Sequence, residues 1–182
     1  MAAKVSACTK RILHKSRVKA VPGEGPGFHE NQQGRPFVGP AGQLLEELLA
    51  SLKLKREQAF IGNVVKCRPR GNRDPLPEEI EACKPYLDRQ IALLRPRVIV
   101  TLGRYSMARV FPNEKISRIH GQAKKVDGIV YVPMYHPAAA LHQPSLRRDV
   151  EEDFKKLPAI LAEIEQMQDE EPPAAVEQLS LF

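Results

Sequence analysis

Apolar residues recur along much of the chain at helical spacing. Leucines at positions 44, 45, 48, 49 and 52 predict a helix over Gln43–Leu52 with one apolar face. Proline followed by two glutamates is typical of a helix start, so a second helix is expected from Pro77 to about Leu94. A short helix is expected over Tyr105–Phe111, and a final amphipathic helix over Asp149–Met167.

Three short apolar runs predict buried strands. They are Ala59–Val65 (AFIGNVV), Arg97–Leu102 (RVIVTL) and Ile129–Tyr135 (IVYVPMY). Strands that alternate with helices predict an α/β fold, here a three-layer α/β/α sandwich around a short, mostly parallel sheet. Ligands of such sheets bind beyond the carboxyl ends of the strands, so we expect the site in the loops that follow them.

Two segments lack any regular period. The stretch 21–42 is crowded with glycine and proline, which predicts a loop that could approach a ligand closely. Residues 168–177 are acidic and rich in proline and alanine, which predicts a disordered linker. We therefore expect one domain over residues 1–167, the linker, and a short apolar-rich peptide at residues 178–182.

Composition narrows the function classes. The net charge of +6 and pI of about 9.3 favour a polyanionic partner, either nucleic acid or an anionic membrane face. No apolar run approaches the roughly 20 residues that span a bilayer, and the basic N-terminus lacks the apolar region of a secretory signal. We therefore expect a cytoplasmic monomer whose three cysteines are buried thiols or metal ligands and not a disulfide framework.

Four segments of the predicted loops fit a pocket for a nucleobase: GEGPG (23–27), GRPFVG (34–39), GNVVKCRPRGNRDP (62–75) and YHPAAAL (135–141). An enzyme that acts on a base must stack it on a ring and hydrogen-bond its edge. Phe37 is the candidate ring. Asn63 is the candidate for the edge, because an amide offers a donor and an acceptor side by side, which match O4 and N3–H of uracil. Cytosine presents the reverse pattern.

Cleavage of a glycosidic bond passes through an oxocarbenium-like state, so both a developing cation and a departing anion must be stabilised. Glu24 and Glu30 are candidates for stabilising the cationic sugar or placing water. His136 is the candidate for stabilising the negative charge on the departing base.

The order of these motifs closely resembles the family 4 uracil-DNA glycosylases of bacteria and archaea, from about Cys8 to Leu161. The most specific segments are KCRPRGNRDPLPEE followed by ACKPYL, GRPFVGPAG and MYHPAAAL. The resemblance implies a base excision repair enzyme that hydrolyses the N-glycosidic bond of uracil in DNA. It also implies the site roles: Glu24 in catalysis, Gly25 and Glu30 lining the pocket, Phe37 stacking, Asn63 recognising uracil and His136 stabilising the leaving base.

The resemblance further implies a [4Fe–4S] cluster on four cysteines. Cys8, Cys67 and Cys83 occupy three of those places, and Arg11 stands at the fourth. Arginine keeps its proton and cannot replace a thiolate. The alternatives are a substitute ligand, such as His14 or solvent, and a protein without the cluster.

The chain departs from the family pattern in a second place. Members carry a buried apolar strand between two GEG-like segments, whereas here VPGEG continues directly into PGFHE. The first strand of the sheet is then missing, unless Val18–Val21 takes its place. The alternative function is therefore a catalytically weak DNA- and clamp-binding member. An RNA-binding or phosphohydrolase domain is disfavoured because the sequence has no Walker-type loop or carboxylate cluster.

Two further groups of residues are assigned to partners. Arg68, Arg70 and Arg73 are expected to contact DNA phosphates, and Leu141 and His142 to enter the base stack as a base leaves it. The terminal QLSLF resembles the peptide by which bacterial repair proteins dock on the sliding clamp; the expected contacts are Gln178, Leu179, Leu181 and Phe182. The alternative is that this tip covers the protein's own surface.

Overall fold

A computed structural model describes residues 26–169 of the chain, with side chains to residue 166. Several predictions concern residues outside this range: Cys8, Arg11, His14, Val18–Val21, Glu24, Gly25, the linker from residue 170 and the terminal peptide 178–182. Within the described range the helices are α1 (Phe28–Gln33), α2 (Pro40–Ser51), α3 (Pro77–Leu94), α4 (Arg104–Ala108), α5 (Ile116–Ile119), α6 (Pro137–His142) and α7 (Pro144–Asp169). The strands are β1 (Val98–Leu102), β2 (Lys124–Val126) and β3 (Ile129–Met134).

The three strands form one sheet in the order β1-β3-β2. β1 and β3 are parallel, with Val98 opposite Val130 and Leu102 opposite Met134, while β2 pairs antiparallel with β3. The α/β fold is confirmed, and the sheet is mixed, since one of its two strand pairs is antiparallel. Asp127 and Gly128, both with positive φ, form the turn between β2 and β3, as in a tight hairpin.

One face of the sheet packs on a leucine-rich core. The side chains that alternate on β1 and β3 toward this face meet α2 and the inner face of α7; the buried members are Phe37, Leu44, Leu45, Leu48, Leu49, Val132, Met134, Ala140, Val150, Phe154 and Leu157. Burying side chains of this size contributes about 1.5–3 kcal/mol each. This core fixes the carboxyl ends of β1 and β3, where the predicted site loops begin.

The predicted helices are present with shifted ends. α2 begins three residues before the expected Gln43, and α7 begins at Pro144 and extends two residues into the segment predicted as linker. The long glycine- and proline-rich loop contains α1, which has too few residues to show a period.

The strand predicted over Ala59–Val65 is wrong. Only Asn63 and Val64 take part in bridges, and the other residues of this run are outside any strand. An apolar run becomes a strand only when neighbouring backbone pairs with it. Among the described helices, none is both long and apolar enough to span a membrane.

Candidate active site

His136 lies two residues after the end of β3 and caps the start of α6. Its backbone is extended, and Nδ1 accepts a hydrogen bond from the backbone N–H of Ala138 at 3.0 Å. Because Nδ1 is the acceptor, the proton of the neutral imidazole is assigned to Nε2. Burial lowers the pKa of His136 to about 4, while the Glu30 carboxylate acts in the opposite direction. The imidazole is therefore neutral at pH 7 and presents one N–H donor.

The Phe37 ring stacks on the imidazole of His136, with ring centroids 5.3 Å apart and planes inclined by 21°. Phe37 is 8% exposed and has a φ of 53°, which is unusual for a residue with a side chain. Gly42 permits this conformation, because a Cβ there would lie 1.9 Å from the carbonyl oxygen of Phe37. The aromatic ring is thus held by the backbone of α2 as well as by the core.

Glu30, on α1, holds the loop that carries Phe37 by two hydrogen bonds. Its Oε1 accepts hydrogen bonds from the backbone N–H groups of Val38 and Gly39, both at 3.0 Å. A Cβ at Gly27 would lie 2.5 Å from Glu30 Oε2, so the glycine leaves room for the carboxylate. The sequence predicted that Glu30 lines the pocket. In the structure its carboxylate holds the backbone that follows Phe37.

Arg56 holds the other side of this loop and was missed by the sequence reasoning. Its Nη2 donates to the carbonyl oxygen of Pro36 at 2.6 Å, although Arg56 is 20 residues away along the chain. No local pattern marks such a contact, because it depends on how the loop folds back on the 3₁₀ turn Arg56–Gln58.

Asn63 is 3% exposed and lies on a separate segment from the Phe37–His136 pair. Lys66, itself 1% exposed, anchors the segment: its Nζ donates to the carbonyl oxygen of Asn63 at 2.6 Å and to Gln90 Oε1 at 2.8 Å. The side-chain amide of Asn63 makes no hydrogen bond with another residue of the range 26–169, and its atoms are not among the fully buried polar atoms of that range. A small part of the amide is therefore accessible, which makes Asn63 a candidate for ligand recognition.

Cys67 and Cys83 are fully buried thiols on neighbouring segments. The backbone N–H of Lys66 donates to Cys83 Sγ at 2.9 Å. Within residues 26–169 no group of three or more histidine, cysteine or acidic residues is placed to hold a metal ion. Since the whole chain has three cysteines, a set of four thiolate ligands does not fit it.

The arginines predicted to contact DNA differ in their surroundings. The Arg68 guanidinium lies over the Phe28 ring, 5.5 Å from its centroid, and Nε donates to Asn72 Oδ1 at 2.8 Å. Arg70 is exposed, whereas Arg73 makes a two-pronged ion pair with the buried Glu79 at 2.9 and 2.7 Å.

Phe28, which is 54% exposed, was missed because a lone aromatic residue in a glycine-rich loop has no distinguishing pattern.

Leu141 and His142 both lie at the end of α6, five and six residues after His136. Leu141 is 41% exposed, and His142 is also exposed. Their helix begins at the capping histidine, so the same short element carries the imidazole and this exposed tip.

Comparison with known proteins identifies the lineage. The model of the uracil DNA glycosylase superfamily matches residues 16–162. A type-4 uracil-DNA glycosylase of Sulfurisphaera tokodaii is 47% identical, with 84% of this chain and 80% of the relative covered. The type-4 uracil-DNA glycosylases of Archaeoglobus fulgidus and Thermotoga maritima are 44% and 41% identical; 84% of this chain and 87% and 88% of those proteins are covered.

The alignments also reveal a length difference. The match to the Sulfurisphaera tokodaii protein extends over 175 positions, whereas 84% of 182 residues is about 153. The relative therefore has about 20 positions that this chain lacks. Identity at this level over most of the sequence, together with the family match, shows that the chain belongs to the uracil DNA glycosylase superfamily.

Proposed function

We propose that this protein is a uracil-DNA glycosylase that hydrolyses the N-glycosidic bond of uracil in DNA and leaves an abasic site. The observation that carries the proposal is the pairing of a neutral, N–H-donating His136 with the stacked ring of Phe37. The type-4 relatives, at 41–47% identity, favour an active enzyme over a catalytically weak member that only binds DNA and the clamp.

His136 is assigned to the leaving base. When the bond between C1′ and N1 breaks, the electron pair goes to uracil and water supplies the new oxygen at C1′. A fixed N–H donor stabilises the negative charge as it develops on a uracil oxygen. A neutral imidazole donates this hydrogen bond without transferring a full proton, and its orientation is fixed because Nδ1 is bound to the start of α6.

Recognition of the uracil base is assigned to Phe37 and Asn63. Phe37 supplies a flat apolar face for the extruded base. The side-chain amide of Asn63 pairs with O4 and N3–H, and cytosine would leave both groups mismatched. Glu30 keeps Phe37 in position, and Glu24 and Gly25, just upstream of Pro26, complete the pocket, with Glu24 acting on the cationic sugar or on water.

Binding of the DNA duplex is assigned to the surface around the pocket. Arg68 and Arg70 contact phosphates, while Arg73 contributes through the loop that its ion pair with Glu79 holds. The exposed Leu141 and His142 enter the stack where the uracil has left it. Phe28, beside Arg68, adds an exposed aromatic face to this surface.

A cofactor and a partner complete the proposal. A [4Fe–4S] cluster would be held by Cys8, Cys67 and Cys83 with a fourth ligand other than cysteine, and no chemical step depends on it. Iron content of the purified protein and of Arg11→Cys tests this assignment: a gain of iron or stability in the variant supports a lost ligand at residue 11.

The terminal Gln178, Leu179, Leu181 and Phe182 would tether a cytoplasmic, monomeric enzyme to the sliding clamp. Deletion of residues 178–182 should abolish clamp binding and leave excision from short oligonucleotides unchanged.

Excision itself is tested with oligonucleotides that contain one uracil, thymine or cytosine. We expect alkali-labile breaks at uracil only, and a large loss of cleavage for Asn63→Ala. The matched control is Asn113→Ala, because Asn113 is exposed and outside the site. Absence of breaks with the folded wild-type protein would overturn the proposal.

A further inference from the structure

Phe28 lies with two neighbours on the surface beside the site. Its side chain is 54% exposed, and the Arg68 guanidinium lies over its ring, 5.5 Å from the centroid. The His29 ring meets it edge-on, with ring centroids 5.5 Å apart and planes inclined by 84°. We call Phe28, His29 and Arg68 the aromatic patch. Single exposed apolar residues are common, so the role of Phe28 must be inferred from these neighbours.

The charge of Arg68 is not neutralised by any carboxylate of residues 26–166. Its guanidinium has two partners in this range, the Phe28 ring and Asn72 Oδ1, and both are uncharged. Arg73, by contrast, forms an ion pair with Glu79. The aromatic patch therefore combines a flat apolar ring with a positive charge that is available to an anionic ligand.

The aromatic patch joins the two segments that carry the pocket residues. α1 contributes two of its members. A Cβ at Gly39 would lie 3.6 Å from His29 Cδ2, so this imidazole borders the loop that carries Phe37. Arg68 belongs to the other segment, five residues after Asn63. A ligand on the patch is therefore next to both the ring assigned to stacking uracil and the amide assigned to reading its edge.

The turn after Arg68 leaves the space beside it open. Gly71 and Asn72 have φ values of 66° and 56°, and a Cβ at Gly71 would meet no atom within 4 Å. Arg70, in the same turn, is exposed. Proteins that bind single-stranded nucleic acid combine these features, because basic residues follow the phosphates while bases stack on exposed aromatic rings.

We propose that the aromatic patch binds the nucleobase next to the target uracil in single-stranded DNA. The base stacks on Phe28, and its phosphate lies beside Arg68 and Arg70. In a duplex the flanking base is already stacked and paired, so it does not reach the ring. The patch thereby favours uracil in single-stranded DNA. The position of the base next to uracil rests on the proposed function, whereas the binding of a single strand does not.

Tryptophan fluorescence tests the binding itself. The chain has no tryptophan, so Phe28→Trp introduces a single fluorescent probe into the patch. Because stacking on a base quenches indole emission, we expect short single-stranded DNA without uracil to quench this variant strongly. The matched control is Phe60→Trp, since Phe60 is 57% exposed and has no described cation over its ring; its emission should change little. Equal quenching at the two positions, or stronger quenching by RNA of the matching sequence, would overturn the proposal.

Excision kinetics test the position of the bound base. A single-stranded oligonucleotide with one uracil is compared with versions in which the 5′ or the 3′ neighbour is an abasic spacer. One of the two spacers should lower kcat/KM about tenfold for the wild type and less than about twofold for Phe28→Leu, which lacks an aromatic face. Phe28→Tyr should behave as the wild type does. Absence of coupling between residue 28 and either neighbour would overturn the proposal.

A purely structural role of Phe28 would have a different signature. If the ring only supports the loop of Arg68, Phe28→Leu should reduce excision from single-stranded and duplex DNA by the same factor. We expect instead a loss of about tenfold on single-stranded DNA and of less than about twofold on a duplex of the same sequence. Phe60→Leu should change neither rate. Equal losses of Phe28→Leu on the two substrates would contradict the assignment.

The two proposals fail separately. If single-stranded DNA quenches Phe28→Trp but uracil is not excised, the proposed function is wrong and the aromatic patch remains a single-strand site. If uracil is excised while Phe28→Trp and Phe60→Trp are quenched equally, the function stands and the assignment of the patch is wrong.

Discussion

The two sides of the sheet's carboxyl end differ in how completely they are built. Beside β3, Phe37, Glu30 and His136 are each fixed by several contacts, so the pocket side is preorganised. Beside β1, a cavity of about 530 Å³ is bounded mainly by apolar side chains of the described residues, and Phe37 forms part of its wall. The difference teaches that Phe37, Glu30 and His136 are held in place by contacts among the described residues.

The largest effect is expected from His136→Ala. Removal of a preorganised donor to a developing anion reduces kcat by about 10²- to 10³-fold. Single-turnover excision of uracil measures the loss, and the melting temperature checks that the variant folds. A decrease in this rate of less than threefold would show that His136 does not act in the chemical step, and that the preorganised side of the sheet is not the catalytic one.

Gly42→Ala tests how firmly Phe37 is held. The new Cβ meets the Phe37 carbonyl at 1.9 Å, so the backbone must move. We expect destabilisation of about 1–3 kcal/mol by chemical denaturation, with weaker uracil binding. Ala50→Gly is the control in the same helix; it changes helix propensity alone, at about 0.5–1 kcal/mol, and should leave uracil binding unchanged.

Glu30 is tested by a pair of substitutions. Glu30→Ala removes the acceptor of two backbone N–H groups, and hydrogen bonds to a charged group contribute about 1.5–3 kcal/mol. Glu30→Gln keeps an acceptor and should lose less stability, while the pKa of His136 falls further because the carboxylate that raises it is gone. Equal losses of stability would show that the two hydrogen bonds are not what holds the loop.

The smallest effect concerns the cavity along β1. Leu94, in its lining, is 48% exposed, and its neighbour Leu93, which is not part of the lining, is 61% exposed. Because Leu94 packs in the cavity wall, Leu94→Ser should cost about 1 kcal/mol, whereas Leu93→Ser should stay within about 0.5 kcal/mol. Equal values in urea denaturation would mean that the packing of Leu94 in this wall does not contribute to stability.

Sequence patterns correctly predicted the elements in which the spacing of apolar residues matches the face that packs against the core. The leucines of α2 and the apolar run of β1 were assigned correctly because burial and period coincide there. β2 was missed because Lys124 and Lys125 are polar, although Asp127 and Gly128 carry a hairpin signal that could have revealed it. The run 59–65 was assigned wrongly because its composition is that of a strand, while pairing depends on a neighbour that local sequence does not specify.

The candidate site divides in the same way. The motifs pointed to Phe37, Glu30 and His136, and the structure brings these three together. The contacts of Arg56 with Pro36 and of Lys66 with Gln90 were not predictable, because each joins residues about 20 positions apart that meet only in the folded chain. The roles of the three residues in excision stay predictions.

The protonation state of His136 also affects stability. Its pKa is lowered from 6.5 to about 4 in the folded protein, so below pH 6.5 the unfolded chain binds a proton that the folded protein does not. The folded state therefore loses stability as the pH falls from 6.5 to about 4, by roughly 3 kcal/mol in total.

The most direct test of the preorganised site is an NMR titration of His136, with its signals assigned by comparison with His136→Gln. The account predicts a neutral imidazole with the proton on Nε2 at pH 7 and a midpoint near 4. A midpoint at or above 6.5, or a proton on Nδ1, would contradict it.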